Sequence, residues 1–292
     1  MAKKETIIGF LYLLPVIAII LFLTLYPIGY AVYISFTNFN LYHFFHYSWV
    51  GLANYITIIK SGTLGNIFLQ TIIWTVGSLI PMMAAGFLLA LVLNQRDLWG
   101  KNIYMTLMLF PWAFPSFITI LVWSGMWNYE YGIVNKFLGL IGIKPIFWFN
   151  YVPTSWAALI FTNLWLSFPY FTVVFTSALQ GIPRELYETA YVDGASMFRR
   201  FTSITLPQMK NALSFVGISS FIFTWNNFYP IYLLTGGGPG TATEIFVVYA
   251  YQEAFSYNLF NIAAAYSIVD TIILAAFALL MLRLSGIMKV IT

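Results

Sequence analysis

Three short runs set aromatic rings and uncharged hydrogen-bonding groups inside otherwise apolar stretches. The first is Pro111-Trp112-Ala113-Phe114-Pro115-Ser116, and the second is Trp165-Leu166-Ser167-Phe168-Pro169-Tyr170. The third, Ser219–Asn227, puts Ser220, Phe223, Thr224 and Asn227 at i, i+3, i+4 and i+7, one face of a helix. Rings to stack on and neutral groups to orient by are what a saccharide needs, with its apolar ring face and its rim of hydroxyls. Prolines add to this, because they free backbone groups that lipid cannot satisfy and a polar cavity can. The same residues also suit helix–helix packing, in which Ser, Thr and Asn join membrane helices and rings fill gaps. On composition alone, packing is the favoured use. A phosphorylated substrate would call for Arg or Lys at this depth, and none of these apolar stretches supplies one. Asp270 stands well inside the last apolar stretch, and an intramembrane carboxylate is a functional candidate by default. A structural hydrogen bond or a contact with a partner is preferred for it over a substrate contact.

Other chemistries are excluded. The chain has no cysteine, so disulfides, zinc–thiolate sites and cysteine nucleophiles are ruled out. It has no paired catalytic carboxylates and no nucleotide-binding lysine motif. The glycines of Gly236–Gly240 are followed by no Gly-Lys-Ser/Thr, so they form no phosphate cradle. His43 and His46 have metal-like spacing but no nearby carboxylate, and they read as interfacial histidines rather than a metal site.

The elements that hold these runs follow from composition. Hydrophobic residues make up 61% of the chain and charged residues 8%, against roughly 25% charged in a soluble domain. Such a chain cannot cover a soluble surface, so its solvent is lipid. Six apolar stretches are each long enough to cross a bilayer, which takes about 20 helical residues. They fall near 7–34, 67–93, 103–127, 155–180, 211–234 and 261–282. They lack the period-2 alternation of barrel strands, so helices are expected. The first stretch is too long for a signal-peptide core and has no small-residue cleavage site, and it reads as a retained span. The expected division is an N-terminal helix with its external loop (1–65) and a five-helix core (66–292).

Lysine and arginine set the orientation. With a cytoplasmic N-terminus, the inside segments hold Lys3, Lys4, Arg96, Lys101, Arg184, Arg199, Arg200, Lys210, Arg283 and Lys289. The outside segments hold Lys60, Lys136 and Lys144. Ten against three is a positive-inside bias, so both termini are expected in the cytoplasm of a multi-pass cell-membrane protein. The net charge of +4 is accounted for by this loop charge and needs no nucleic-acid partner.

The longest inside loop, Gly181–Asn211, is also the most charged. Residues 184–192 read as helix behind Pro183, Gly194 offers a sharp turn, Ser196 caps a second short helix through Phe198 and Phe201, and Pro207 closes it. On periodicity alone it is either an amphipathic hairpin on the inner leaflet or a docking knob for a cytoplasmic partner.

The run Glu188-Thr189-Ala190-Tyr191-Val192-Asp193-Gly194-Ala195, followed by Phe201, Ile204, Leu206 and Pro207, resembles the EAA loop of ABC importer permeases. Thr189 stands where Ala is usual. The run Leu234-Thr235-Gly236-Gly237-Gly238-Pro239-Gly240, then Thr243-Glu244, Tyr249-Ala250-Tyr251, Ala254-Phe255 and Ala263-Ala264-Ala265, is similar to sugar-importer permeases of the maltose type, on the MalF-like side. The resemblance covers nearly the whole chain. It implies an all-α membrane fold of the type I importer class (MetI-like) with six spans and cytoplasmic coupling helices. It also implies partners: a homologous MalG-like permease, two cytoplasmic ATPase subunits that carry ATP and Mg, and an extracytoplasmic sugar-binding protein. The chain itself would be no enzyme and would bind no cofactor.

The same resemblance has Glu188 pairing with a basic ATPase residue, Gly194 turning between coupling helices, and Glu185, Ala190, Asp193 and Arg199 on that surface. It carries the sugar site onto Trp112, Ser116, Trp165, Leu166, Ser167, Tyr170, Ser220, Phe223, Thr224 and Asn227, reversing the preference for packing. The maltose permease has Tyr at the position of Trp112, Gly at Ser167 and Asn at Thr224, so the particular sugar stays open. Rival readings are an ABC permease for another small solute, such as a polyol or glycerol phosphate, and an ion-coupled secondary sugar transporter. The latter would need acidic residues coupled within its spans.

Overall fold

The computed structural model describes residues 12–95 and 98–285. Among these residues the chain is helical throughout, with one isolated bridge between Thr37 and Trp49 in place of any strand. Lys3, Lys4, Arg96 and Lys289, which enter the orientation argument, lie outside the described residues.

The elements, in chain order, are α1 (Tyr12–Ser35), α2 (Ala53–Lys60), α3 (Thr63–Leu93), α4 (Lys101–Met108), α5 (Ser116–Met126), α6 (Ile133–Leu140) and α7 (Val152–Gln180). They continue with α8 (Arg184–Val192), α9 (Met197–Arg200), α10 (Leu206–Trp225), α11 (Phe228–Leu234), α12 (Phe246–Phe255) and α13 (Phe260–Ser285).

Four of these, α1, α3, α7 and α13, are long and apolar enough to cross a membrane. The other two expected spans take a different form. Stretch 103–127 is not one helix. It breaks into α4, a 3-10 turn (Phe110–Ala113) and the 11-residue α5. The cause is local: Pro115 pushes the residue before it out of the helical region, and Phe114 is extended (φ −113°, ψ 148°). Stretch 211–234 is likewise interrupted. α10 ends at Trp225, and α11 restarts after Asn227. Non-helical backbone at membrane depth persists where it lines a cavity, and both breaks do.

Pro207 does not close the second loop helix. α9 runs through a π turn (Phe201–Thr205) into α10, with Pro207 in its first turn. The wider turn routes the Leu206 N–H to the Phe201 carbonyl five residues back, so the ladder is already offset where Pro207 supplies no N–H.

The chain gathers into two compact units. The first runs to Asn66, close to the expected boundary, but also takes in Tyr249–Ile272, which the expected division placed in the core. Asn54 organises it: its amide donates to the Ser35 carbonyl at 2.8 Å and the Thr37 carbonyl at 2.7 Å, and its oxygen accepts from the Asn261 amide at 2.9 Å. Among the described residues, the apolar window of α1 is exposed and only its last residues, Ile34 and Ser35, are buried. Asp270, in this unit, is buried, at 7% exposed.

The second unit, Ile67–Val248 with Ile273 onward, packs α3 against α7. Their backbones approach at Gly86, where a Cβ would overlap the Phe171 Cβ; small residues are what permit such approach between membrane helices. One apolar cluster (Met82, Ala90, Phe171, Phe175, Met209, Val216) joins α3, α7 and α10. Another (Trp74, Ile120, Leu159, Ile231, Ile245) joins α3, α5, α7, α11 and the segment entering α12. The Gly236–Gly240 run is a tight turn. Gly236, Gly237 and Gly240 have positive φ, Thr243 donates through Oγ1 to the Gly238 carbonyl at 2.7 Å, and the buried Glu244 fills the space a Cβ on Gly237 would need.

Candidate functional site

The two chain breaks and the middle of α7 enclose a cavity of about 610 Å³. It lies wholly within the second unit. α7 contributes Asn163, Leu166, Ser167 and Tyr170, spaced i, i+3, i+4 and i+7 and therefore on one face. The break before α5 contributes Pro111, Trp112, Phe114 and Ser116. α10 and the break after it contribute Ser219, Ser220, Phe223, Thr224 and Asn227, with Tyr229 and Pro230 beyond.

Short interactions fix the wall. Trp112 donates its indole N–H to the Leu166 carbonyl at 3.0 Å and lies 6.2 Å from the Tyr170 ring, with an interplanar angle of 30°. Pro169 leaves the carbonyl of Trp165, one residue before Leu166, without its helical donor. Trp74 donates to the Thr224 carbonyl at 2.9 Å, anchoring the end of α10 to α3. The Asn227 amide donates to the Asn163 oxygen at 3.1 Å, tying the second break to α7.

Nine of the ten residues carried over for substrate line this cavity: Trp112, Ser116, Leu166, Ser167, Tyr170, Ser220, Phe223, Thr224 and Asn227. Asn227 does so from beyond the end of α10 rather than from its helical face. Trp165 does not line it. One residue before Leu166, it is rotated about 100° around α7 and packs edge-on to Trp123 at 5.9 Å and Phe168 at 5.8 Å.

Asn163 was missed. Its side chain is 1% exposed, and its Nδ2 finds no hydrogen-bond partner among the described residues. A buried amide donor left unpaired costs about 1–3 kcal/mol, and Asn163 borders the cavity. The spacing Asn163, Leu166, Ser167, Tyr170 would have found it in the sequence.

The chemistry of the wall is uniform. Four exposed rings face a set of small hydroxyls and two amides: Trp112, Phe114, Phe223 and Tyr229 are each at least half exposed, while Ser220 and Thr224 are buried. Among the described residues, none that lines the cavity carries a charge.

At the far ends of α3 and α7, α8 and α9 form a helix–turn–helix. Gly194 makes the turn in the left-handed region (φ +72°), where only glycine is unstrained. Ser196 caps α9 by accepting from the Arg199 N–H at 3.3 Å. Glu185, Glu188, Asp193 and Arg199 are exposed here, and Ala190 is half-buried. Tyr187 holds the loop against α10 through a 2.9 Å hydrogen bond to Thr205. Glu188 also borders a second cavity, of about 1020 Å³.

The cavity, lined by rings, small hydroxyls and amides, lies among helices of membrane-spanning length and apolarity, as a transport component requires. The chain belongs to the family of binding-protein-dependent transport system inner membrane components, whose pattern it matches over residues 82–289. It is 36% identical to the galactooligosaccharides transport system permease protein GanP of Bacillus subtilis, covering 92% of this chain and 68% of that one. It is 33% identical to the trehalose/maltose transport system permease protein MalF of Thermococcus litoralis, covering 96% and 94%. In fold it resembles a chain of a bacterial ABC transporter that imports the acidic polysaccharide alginate, with a TM-score of 0.84, 22% identity, and 97% and 96% of the two chains covered.

Proposed function

We propose that this chain forms half of the translocation path for a neutral sugar or oligosaccharide, and that the cavity of about 610 Å³ is its contribution to the substrate site. Its relatives are named for galactooligosaccharides and for trehalose and maltose. The observation that carries the reading is the pairing of exposed rings with the hydrogen-bonded Asn163–Asn227 amides and small hydroxyls in an uncharged wall. The volume falls within the roughly 300–1,000 Å³ of small-ligand sites. Trp112 and Phe223 would cover a sugar's ring face, Ser116, Ser220 and Asn227 would meet its hydroxyls, and Asn163 would donate to one of them. A polyol would suit the same wall. Glycerol phosphate would not, unless the partner permease supplied the cation.

Transport then proceeds by alternating access, one chemical event biasing a two-state element. The chain works with a MalG-like permease, two ATPase subunits carrying ATP and Mg, and an extracytoplasmic binding protein. The α8–Gly194–α9 hairpin docks on an ATPase, with Glu188 pairing a basic residue there. The chain would cross the membrane six times with both termini in the cytoplasm, the broken α4–α5 and α10–α11 segments serving as the third and fifth passages.

The test is uptake by the reconstituted complex of Tyr170→Ala and Asn227→Ala variants. Uptake reduced at least about tenfold, with assembly intact, supports the site. Normal uptake rejects it.

A further inference from the structure

The second cavity plays no part in the path proposed above. It opens where both long helices end, using Asn94 and Gln95 just beyond α3 and Leu179 and Gln180 at the close of α7. The apolar lengths of α3 and α7 span the hydrocarbon, so this cavity sits at headgroup depth. Its charge is lopsided. Lys101, Arg184 and Arg200 line it, against the carboxylate of Glu188 as the one acid among the described lining residues.

Arg200 is held in place. Its guanidinium lies 5.6 Å from the centre of the Tyr191 ring, and its Nε is buried without a hydrogen-bond partner among the described residues. A buried charged donor left unpaired is costly, and an anion in the cavity would satisfy it.

The neighbouring surface says which anion. Lys101 opens α4 and lines the cavity, while Trp99, in the turn before the helix, and Ile103 and Leu107, four residues apart along it, form an exposed apolar stripe. They are 86%, 59% and 62% exposed. Trp at an interface and an apolar stripe beside a basic pocket are the features of a surface that meets acyl chains and headgroup together.

We infer that this cavity binds the phosphate of an anionic phospholipid, with Lys101, Arg184 and Arg200 around the headgroup and the Trp99–Leu107 stripe against the acyl chains. A lipid seated here would touch α8 as well as the ends of α3 and α7. It would therefore hold the helix–turn–helix loop at a fixed height on the membrane.

Native mass spectrometry of the purified full chain, titrated with phosphatidylglycerol and with phosphatidylcholine, tests this directly. Phosphatidylglycerol should bind preferentially. Lys101→Gln, Arg184→Gln and Arg200→Gln should each weaken it about fivefold, from the worth of one cation near an anionic headgroup. Arg200→Lys should recover most of the binding, which separates lost charge from lost folding, and Lys60→Gln, outside the cavity, should change nothing. Equal binding of the two lipids, or charge removal without effect, overturns the proposal. Competition by inorganic phosphate at millimolar concentration would place a free phosphate there instead and overturn the lipid assignment. Charge-removed variants that keep phosphatidylglycerol but lose a cytoplasmic ATPase partner would make the cavity a protein-docking face and equally overturn it.

Discussion

Replacing Asn163 with Leu separates a substrate donor from a structural amide. Leu keeps the branched shape, at a larger volume, and removes two groups with different accounts. The Nδ2 has no partner among the described residues, so its loss relieves a desolvation cost of about 1–3 kcal/mol. The Oδ1 accepts from Asn227 at 3.1 Å, and losing it removes a hydrogen bond worth about 0.5–1.5 kcal/mol. Asn227 is only half-buried and can turn to water, so folding stability should fall by no more than about 0.5 kcal/mol and rise by no more than about 2.5 kcal/mol. Transport should respond differently. A sugar hydroxyl that accepts from Nδ2 gains about 1–3 kcal/mol from a buried donor, so the KM for uptake should rise roughly 5- to 150-fold. The assay is saccharide uptake into proteoliposomes beside thermal unfolding of the same complex. An unchanged KM with a lowered Tm would refute the reasoning, because Asn163 would then be serving the packing of α7 alone.

Trp165→Ala and Tyr170→Ala should divide the same way: Trp165 packs on Trp123 away from the cavity, so its loss should cost about 1–3 kcal/mol of stability with KM unchanged, whereas Tyr170→Ala should raise KM (uptake kinetics with thermal unfolding). Gly86→Val drives a branched side chain into Phe171 and should destabilise by about 3 kcal/mol or more, read as lost Tm and lower yield from the membrane. Glu188→Lys should uncouple ATPase stimulation from substrate while leaving basal turnover measurable; stimulation equal to the parent complex would remove Glu188 from the coupling surface. Gly194→Val forces a β-branched residue to φ +72° at a cost of about 1–2 kcal/mol and should weaken coupling without altering saccharide affinity, as measured by substrate-stimulated ATPase across a saccharide titration.

The membrane character was legible because 61% apolar composition admits no other solvent. The loop was legible because Gly194 and Ser196 make local turns and caps that tertiary contacts need not supply. The breaks were harder. Pro111 and Pro115 announced an irregularity, but apolar runs cannot say whether a proline kinks a helix or splits it, and here Phe114 leaves the helix altogether. Pro207 misled in the opposite direction, since a π turn carried the helix through it. Asn163 was passed over because one asparagine in an apolar helix reads as interhelical glue, although its spacing to Leu166, Ser167 and Tyr170 puts it on their face. Trp165 came in with the resemblance, which carries positions over without their packing. The face of α7 is set by spacing from Asn163 to Tyr170, and Trp165 falls off it. The pairing of residues to 66 with Tyr249–Ile272 depends on long-range bonds such as Asn54 to Asn261, which local patterns do not carry.

The most direct measurement is cryo-electron microscopy of the assembled importer with its saccharide, trapped by a non-hydrolysable ATP analogue. The account predicts sugar density against Trp112 and Phe223, with hydroxyls in hydrogen-bond reach of Asn163, Ser220 and Asn227. Density seated elsewhere in the path, with this cavity holding side chains or solvent alone, would contradict it.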